Sequence, residues 1–297
     1  MRFLSNRTKD IFSNYLFVLP AVVMFCIFNI YPFYKIFQLS VFEWDGISNR
    51  MNFVGLSHFK DIIFNNSVWW SSVWHAAFIT ILALTVQNAL ALGLAVACDR
   101  DIKGGRIYRV IFYIPPILSG IVVGLIWNWI FEGNFGLLNH WLKAIGLGNA
   151  TRAWLAEPGT ALPCIAIIHM WRGFGWGFII MLAGLQGIPR ELYEAAKVDG
   201  ATSWQTFWSV TIPLMIPVFI LVSILTILGT MQIYAIIVAT TGGGPGYHTE
   251  VPITRILTNM TGYGRFGYAC AMGLVFGALL LIISLTQVRL SRYMKRT

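Results

Sequence analysis

Charged side chains are distributed so that long apolar stretches run between them. No Asp, Glu, Lys or Arg occurs between Asp10 and Lys35, between Arg109 and Glu132, or between Arg265 and Arg289. A helix needs about 20 apolar residues to cross roughly 30 Å of hydrocarbon, so each gap matches one membrane span. The gap from Asp61 to Asp99 holds one span in its second half, because its first half carries Asn65, Asn66, Ser67 and a Trp-rich stretch that reads as interfacial. Two further spans fit the apolar runs after Pro163, interrupted by Arg172, and after Pro213. The pattern predicts an all-α integral membrane protein of one domain over 1–297, with six transmembrane helices at about 12–34, 73–98, 109–131, 163–186, 213–238 and 266–288.

Two excursions separate the early spans. "FVGLSHFKDI" places Phe53, Phe59, Ile62 and Ile63 along an amphipathic helix on the membrane surface, and "GLLNHWLKAIGL" repeats Leu137, Leu138, Trp141, Leu142 and Ile145 at helical spacing. Each reads either as a docking surface or as a cover for the bundle. "TTGGGPGYHTE" marks a flexible or tightly turned loop after the fifth span.

Composition reinforces the membrane reading. The chain is 57% hydrophobic and 11% charged, with mean hydropathy +0.69, which is more apolar surface than one soluble core of this size buries. Basic residues gather in short loops and at the ends: Arg100, Lys103, Arg106 and Arg109 after the second span, and Arg289, Arg292, Lys295 and Arg296 after the last. The positive-inside rule then places both termini in the cytoplasm, N-in/C-in. Anionic lipid accounts for the net charge of +9, and no nucleic-acid partner is implied. The N-terminal apolar run lacks a small-x-small cleavage site and reads as an uncleaved signal anchor. The four cysteines sit singly in apolar runs, as buried hydrophobes or, for Cys164 and Cys270, as a bridged pair.

Catalytic signatures are missing. The five histidines form no H-E-x-x-H, no G-x-S-x-G occurs, and no Lys precedes Ser or Thr as a P-loop requires. The spans hold no acid for a proton relay. Arg172 is the charge within them, and it reads either as a structural arginine paired with a carbonyl or as a polar group facing a substrate path.

The polar stretch "EAAKVDGATSWQTFWSVTIP" (194–213) interrupts this pattern. Pro189 suits a first helical position, Glu191 a first turn and Gly200 a left-handed stop, while Thr202 with Gln205 forms a capping box for a second helix. Leu192, Ala195, Ala196 and Asp199 share one face. Spacing alone fits an amphipathic helix on the inner leaflet or a protrusion meant for a partner.

The residue identities go further. Glu194-Ala195-Ala196, Asp199-Gly200-Ala201, Phe207, Ile212-Pro213 and Pro217 resemble the EAA motif of membrane subunits of ATP-binding-cassette (ABC) importers, most closely the sugar permeases of the maltose and glycerol-phosphate uptake type. "FVGLSHFKDI", "WLKAIGL", "MWRGFGWGFIIMLAGLQGIPRELYEAAKVDGA" and "TTGGGP" extend the resemblance in order along the chain. It implies a type I ABC importer permease fold with a cytoplasmic coupling loop at 187–212, in which Glu194, Ala195, Ala196, Asp199, Gly200 and Pro213 serve ATPase coupling. The implied partners are a second homologous permease subunit, two ATP-binding cassette ATPase subunits that carry ATP and Mg, and an extracytoplasmic sugar-binding protein. This chain would then have no catalytic residue, metal or cofactor of its own. It would move solute by alternating access in a bacterial or archaeal inner or plasma membrane.

A neutral sugar, an oligosaccharide in particular, would find aromatic faces and amides in Trp127, Asn128, Trp171, Gln232 and Tyr234, with Arg172 nearby; the aromatics equally suit lipid belts or packing. Family members often carry Phe-Asp where this chain has Tyr234-Ala235. Other readings are a permease for a glycerol phosphoester, which Arg172 would pair bidentately, and an integral membrane enzyme acting on lipid or isoprenoid substrates.

Overall fold

The computed structural model describes residues 2–99 and 104–294. Of the basic residues that set the expected orientation, Arg100, Lys103, Lys295 and Arg296 lie outside the described residues. Helices dominate: α1 (Asn14–Ser40), α2 (Ser57–Lys60), α3 (Ser67–Asp99), α4 (Gly105–Ile117), α5 (Gly120–Ile130), α6 (Leu137–Ala144), α7 (Pro158–Gln186), α8 (Arg190–Val198), α9 (Ser203–Met231), α10 (Ala235–Thr240), α11 (Pro252–Leu257) and α12 (Phe266–Met294). Among the described residues five helices are long and apolar enough to cross a membrane, or six if α4 and α5 count as one broken span.

The broken span departs from the sequence expectation. One straight helix was expected over 109–131, but α4 and α5 meet at 96°. Pro115 and Pro116 close α4, and prolines donate no amide hydrogen to the turn before them. The Phe112 carbonyl, which the missing Pro116 amide would otherwise engage, lies against Gly175 of α7 so closely that any side chain there would strike it. The fifth span also differs from 213–238. Its helix starts ten residues earlier, at the cap before Ser203, and breaks at Gln232–Tyr234 before α10 resumes. Wide π turns at Cys26–Ile30 and Phe207–Thr211 directly precede Pro32 and Pro213, where the normal hydrogen-bond ladder loses a donor.

The chain divides into two compact units, Met1–Asn65 with Ile256–Ala278, and Asn66–Arg255 with Leu279–Thr297. In the first, α1 has no buried residue before Ser40 at its end, so its apolar surface needs hydrocarbon or another chain around it. A two-residue antiparallel ladder pairs Phe42–Glu43 with Asn52–Phe53, a small exception to an all-α fold. It also takes Phe53 out of the helix expected in "FVGLSHFKDI": Phe53 is an exposed strand residue, while Phe59, Ile62 and Ile63 lie on the helical turns of Ser57–Lys60 and Asp61–Asn65, where Ile62 is fully buried. Tyr268 donates to Asp61 Oδ2 at 2.7 Å, and Trp44 packs on Phe266.

In the second unit α7 is the central helix. Its Gly177 faces Ala91 of α3, its Gly184 faces Met215 and Val218 of α9, and Phe178, Met181, Leu182 and Leu185 fill the core beside them. Small residues let membrane helices approach until dispersion and backbone contacts take over. The same device joins α5 to α10, where Gly120 and Gly124 sit against Ala235 and Ala239. The Trp-rich segment is not interfacial throughout: it forms the first turns of α3, capped by the Asn66 side chain accepting from Trp69 N, and Trp69 is fully buried while Trp70 and Trp74 face outward. All four cysteines are free thiols.

Candidate functional site

The loop from 187 to 212 folds as a braced hairpin of helices. Ile188 packs in the α7 core cluster. Pro189 takes the N-cap position with extended backbone, one residue earlier than its expected helical place, and α8 begins at Arg190. Gly200 ends the turn at φ +76° with no atom near the position a side chain would take. Thr202 then opens α9 with a full capping box: its side chain accepts from Gln205 N, and Gln205 reaches back to Thr202 N at 2.8 Å. Tyr193 OH lies 3.2 Å from Thr211 Oγ1 of α9 and ties the middle of α8 to the longer helix.

The face that α8 turns inward is therefore Tyr193 with Ala196, both half-buried, rather than the Leu192, Ala195, Asp199 side. Leu192, Glu194, Ala195 and Asp199 are exposed, as are Lys197 and Val198. A nine-residue helix, held at both ends and at one point along its length, presents a mixed apolar and acidic face that none of the described residues covers. Pro213 sits at the start of the regular turns that follow the π segment in α9.

The candidate pathway residues do not form one cluster. Arg172 donates Nε to the Leu118 carbonyl at 3.1 Å, inside the break between α4 and α5. That carbonyl belongs to a residue outside either helix, so the guanidinium supplies a partner that the backbone lacks. Trp171 meets Trp127 edge-on at 5.7 Å, and Trp127 meets Phe131, a half-buried aromatic stack between α5 and α7. Gln232 and Tyr234 are exposed in the break after α9.

Asn128 alone among them borders a polar cavity of about 760 Å³, walled by the end of α5, the second excursion and the loop after α10. Glu132, Gly133, Asn134, Arg152, Thr240, Thr241, Gly244 and Pro245 contribute to its lining. Glu132 accepts from Phe135 N and Asn134 N, both at 2.7 Å, and these amides hold its carboxyl below the usual carboxylate range. Across the excursion Asn139 is almost fully buried and fully used. Its Nδ2 donates to the carbonyls of Gly133 (2.7 Å) and Arg152 (2.8 Å), while its Oδ1 accepts from Trp154 Nε1 at 2.7 Å. Two walls of the cavity are thus stitched by one amide. The apolar stripe expected on α6 does exist, but Leu137 and Trp141 point outward and the helix is fixed through Asn139.

The glycine-rich loop makes the third wall and is tightly turned. Gly242, Gly243, Gly246 and Tyr247 all have positive φ. Thr249 donates Oγ1 to the Gly244 carbonyl at 2.7 Å and accepts from Thr241 Oγ1 at 2.7 Å, closing the turn on itself. Beneath it Glu250 is buried, 3.5 Å from Arg255 Nη1, and Arg255 lies over the Tyr247 ring at 5.3 Å. Burial pushes the Glu250 carboxyl up, against the opposing pull of Arg255. His75 Nδ1 of α3 lies 2.8 Å from the Glu250 carbonyl and must be the donor, since a carbonyl only accepts.

Sequence reading missed a buried polar seam between α3 and α9. Thr80 Oγ1 and Thr230 Oγ1 are 2.7 Å apart, and Thr226 Oγ1 donates to Asn88 Oδ1 at 3.3 Å. The signal was Thr, Gln and Asn recurring inside otherwise apolar runs, which in hydrocarbon requires partners. Gln87 adjoins Gly173 of α7, where a side chain would collide with its amide. Among the described residues no group of three or more His, Cys, Asp or Glu side chains is placed to hold a metal.

Comparison with known proteins supplies the context. Residues 89–296 match the family described as binding-protein-dependent transport system inner membrane component. The probable ABC transporter permease protein YurN of Bacillus subtilis is 31% identical over 286 residues, covering 96% of this chain and 97% of that protein. The diacetylchitobiose uptake system permease protein NgcF of Streptomyces coelicolor is 32% identical, covering 94% of this chain and 83% of that protein. The trehalose/maltose transport system permease protein MalF of Thermococcus litoralis is 30% identical, with 94% of each covered. A chain in the crystal structure of a bacterial alginate ABC transporter, in complex with alginate pentasaccharide-bound periplasmic protein, superposes with a TM-score of 0.84 at 22% identity over 100% of this chain and 99% of that one. That likeness establishes the fold.

Proposed function

The chain belongs to the family of binding-protein-dependent transport system inner membrane components, and we propose that it is the membrane permease of an ATP-driven importer for saccharides, oligosaccharides in particular. The named relatives transport diacetylchitobiose and trehalose or maltose, which supports that substrate class. The observation that carries the mechanism is α8: a braced helix whose exposed face bears Glu194, Ala195 and Asp199 and is left uncovered by the described residues of its own chain.

In this reading α8 is the coupling helix. Both termini and α8 face the cytoplasm, where α8 docks on one of two ATPase subunits that hold ATP and Mg, so this chain needs no catalytic group or cofactor. A second, homologous permease covers part of the exposed apolar surface, and an extracytoplasmic binding protein delivers the saccharide to the opposite side. ATP-driven closure displaces α8, and α9 moves with it through the Tyr193 contact and the capping box. Each ligand shifts the inward-open and outward-open states by its difference in affinity for them. The cavity beside Asn128 fits solute passage, being polar and wide enough for a sugar, given that small-molecule sites span roughly 300–1,000 Å³. A phosphoester substrate would rely on Arg172, whose Nε is already engaged at Leu118.

The test is ATP hydrolysis by the assembled complex in lipid discs, with binding protein preloaded from a panel of saccharides. Stimulation by one saccharide, weakened by Glu194→Lys with the complex still assembled, is the expected result. A chain that purifies well folded with no ATPase partner, or a Glu194→Lys complex that is stimulated like wild type, contradicts the reading.

A further inference from the structure

The glycine-rich loop and the buried charges below it have no role in the coupling mechanism. Glu250 and Arg255 are nevertheless the most expensive side chains in this region to bury, since charges leave water only at a cost that a good partner must offset. Three features converge on one short segment. Thr241 and Thr249 close the loop internally. The pair anchors its far end, with Arg255 also covering Tyr247. His75 fixes the Glu250 backbone to α3. The opposite edge of the same loop, Thr241, Gly244 and Pro245, is cavity wall. At Gly243 the backbone passes so close to the Glu250 side chain, 2.7 Å from its Cγ to the place of a Cβ, that loop and carboxylate pack as one body.

We propose that Glu250 and Arg255 are positioning residues for solute passage: their buried pair braces the end of the glycine-rich loop, which the Glu250 carbonyl ties to His75 of α3, so that Thr241, Gly244 and Pro245 form a fixed wall of the cavity beside Asn128. The ligand class is the saccharide of the importer reading, on which the solute part of this inference rests; the clamp itself does not depend on it. A fixed wall selects by shape, because hydroxyls of a polyol meet backbone and threonine oxygens at set distances instead of a loop that adapts to each solute. Glycines make such a wall possible, since left-handed Gly242, Gly243 and Gly246 turn the backbone itself to the cavity.

Two measurements decide it. Hydrogen exchange of the full chain in lipid discs reads the clamp without any transport. Glu250→Gln, which keeps shape and removes charge, should speed exchange of residues 241–250 by about tenfold or more while α9 stays protected. Arg255→Met should do the same, and the double variant should be no worse than either single one, as expected for groups acting as a pair. In the assembled importer the same variants should raise half-saturating saccharide by about fivefold and blur discrimination between saccharide lengths, with maximal uptake changed less than about twofold. A loss of assembled complex would instead lower maximal uptake and leave half-saturation and discrimination unmoved, which would overturn the positioning role. Unchanged exchange in both single variants overturns the clamp. A wild-type complex that moves no saccharide overturns the importer reading, and the solute role with it, while the exchange result still decides the clamp.

Discussion

Replacing Asn139 by Asp changes one atom and reverses the logic of the second excursion. The amide nitrogen donates to the Gly133 and Arg152 carbonyls, and a carboxylate in its place brings acceptor to acceptor at 2.7 and 2.8 Å. Each intramolecular hydrogen bond is worth about 0.5–1.5 kcal/mol net, and a buried group left unpaired costs about 1–3 kcal/mol. Two orphaned carbonyls, with the Trp154 indole and the Arg152 amide still donating to Oδ1, therefore cost about 2–6 kcal/mol before any charge penalty. The whole protein need not bear that cost. Residues 132–157 open to water, releasing both carbonyls, so the loss is capped by the local opening free energy. The expected signature is regional: hydrogen exchange between residues 132 and 157 rises by about a hundredfold, the factor for roughly 2.7 kcal/mol, while α7 and α9 keep wild-type protection. Asn139→Leu should act in the same direction, since it also removes both donors. If Asn139→Asp exchanges like wild type across 132–157, then the two amide donors of Asn139 do not hold this excursion together.

Gly200→Val forces a β-branched residue into a left-handed turn at φ +76° where space is otherwise free, so the cost is backbone alone, about 1–2 kcal/mol, and Gly200→Asn should recover much of it in a thermal melt of the complex. Arg172→Met leaves the Leu118 carbonyl without its donor, and a loss of about 1–3 kcal/mol should appear as a lower melting temperature in lipid discs; wild-type melting would remove Arg172 from the bend. The Glu132 carboxyl is held below its ordinary range by the Phe135 and Asn134 amides, so ordering of residues 132–135 is present above the unfolded carboxylate pKa and is lost as pH falls through the lowered folded value. Exchange of the Asn134 and Phe135 amides followed against pH should show this step, and Glu132→Gln should abolish it.

The long helices were legible because charge spacing reports what hydrocarbon tolerates, and the capping box at Thr202 was legible because it is a local contract between residues three apart. Bends escaped for the same reason that spans did not: hydropathy is blind to direction. Pro115, Pro116 and Ser119 carried the signal of the 96° turn inside a stretch with no charge. Which face of α8 turns inward escaped as well. Leu192, Ala195 and Ala196 look like a packing stripe, yet Tyr193 is the residue that reaches Thr211, because a long side chain with a hydroxyl tip spans a gap that leucine cannot bridge to a polar partner. Asn139, the Thr80–Thr230 contact and the Glu250–Arg255 pair depend on segments far apart in the chain or on irregular loop geometry, and one sequence without its fold does not place such partners together.

Ile188, Tyr193 and the Thr202–Gln205 box give α8 a three-point mount. Supports at both ends and in the middle oppose rocking of the helix. If α8 is the coupling helix proposed above, a push at Glu194 reaches α9 through these supports. On that proposal, softening any one support would let the helix yield under load: its partner would still be gripped, but fuel would be burned with less solute moved per stroke.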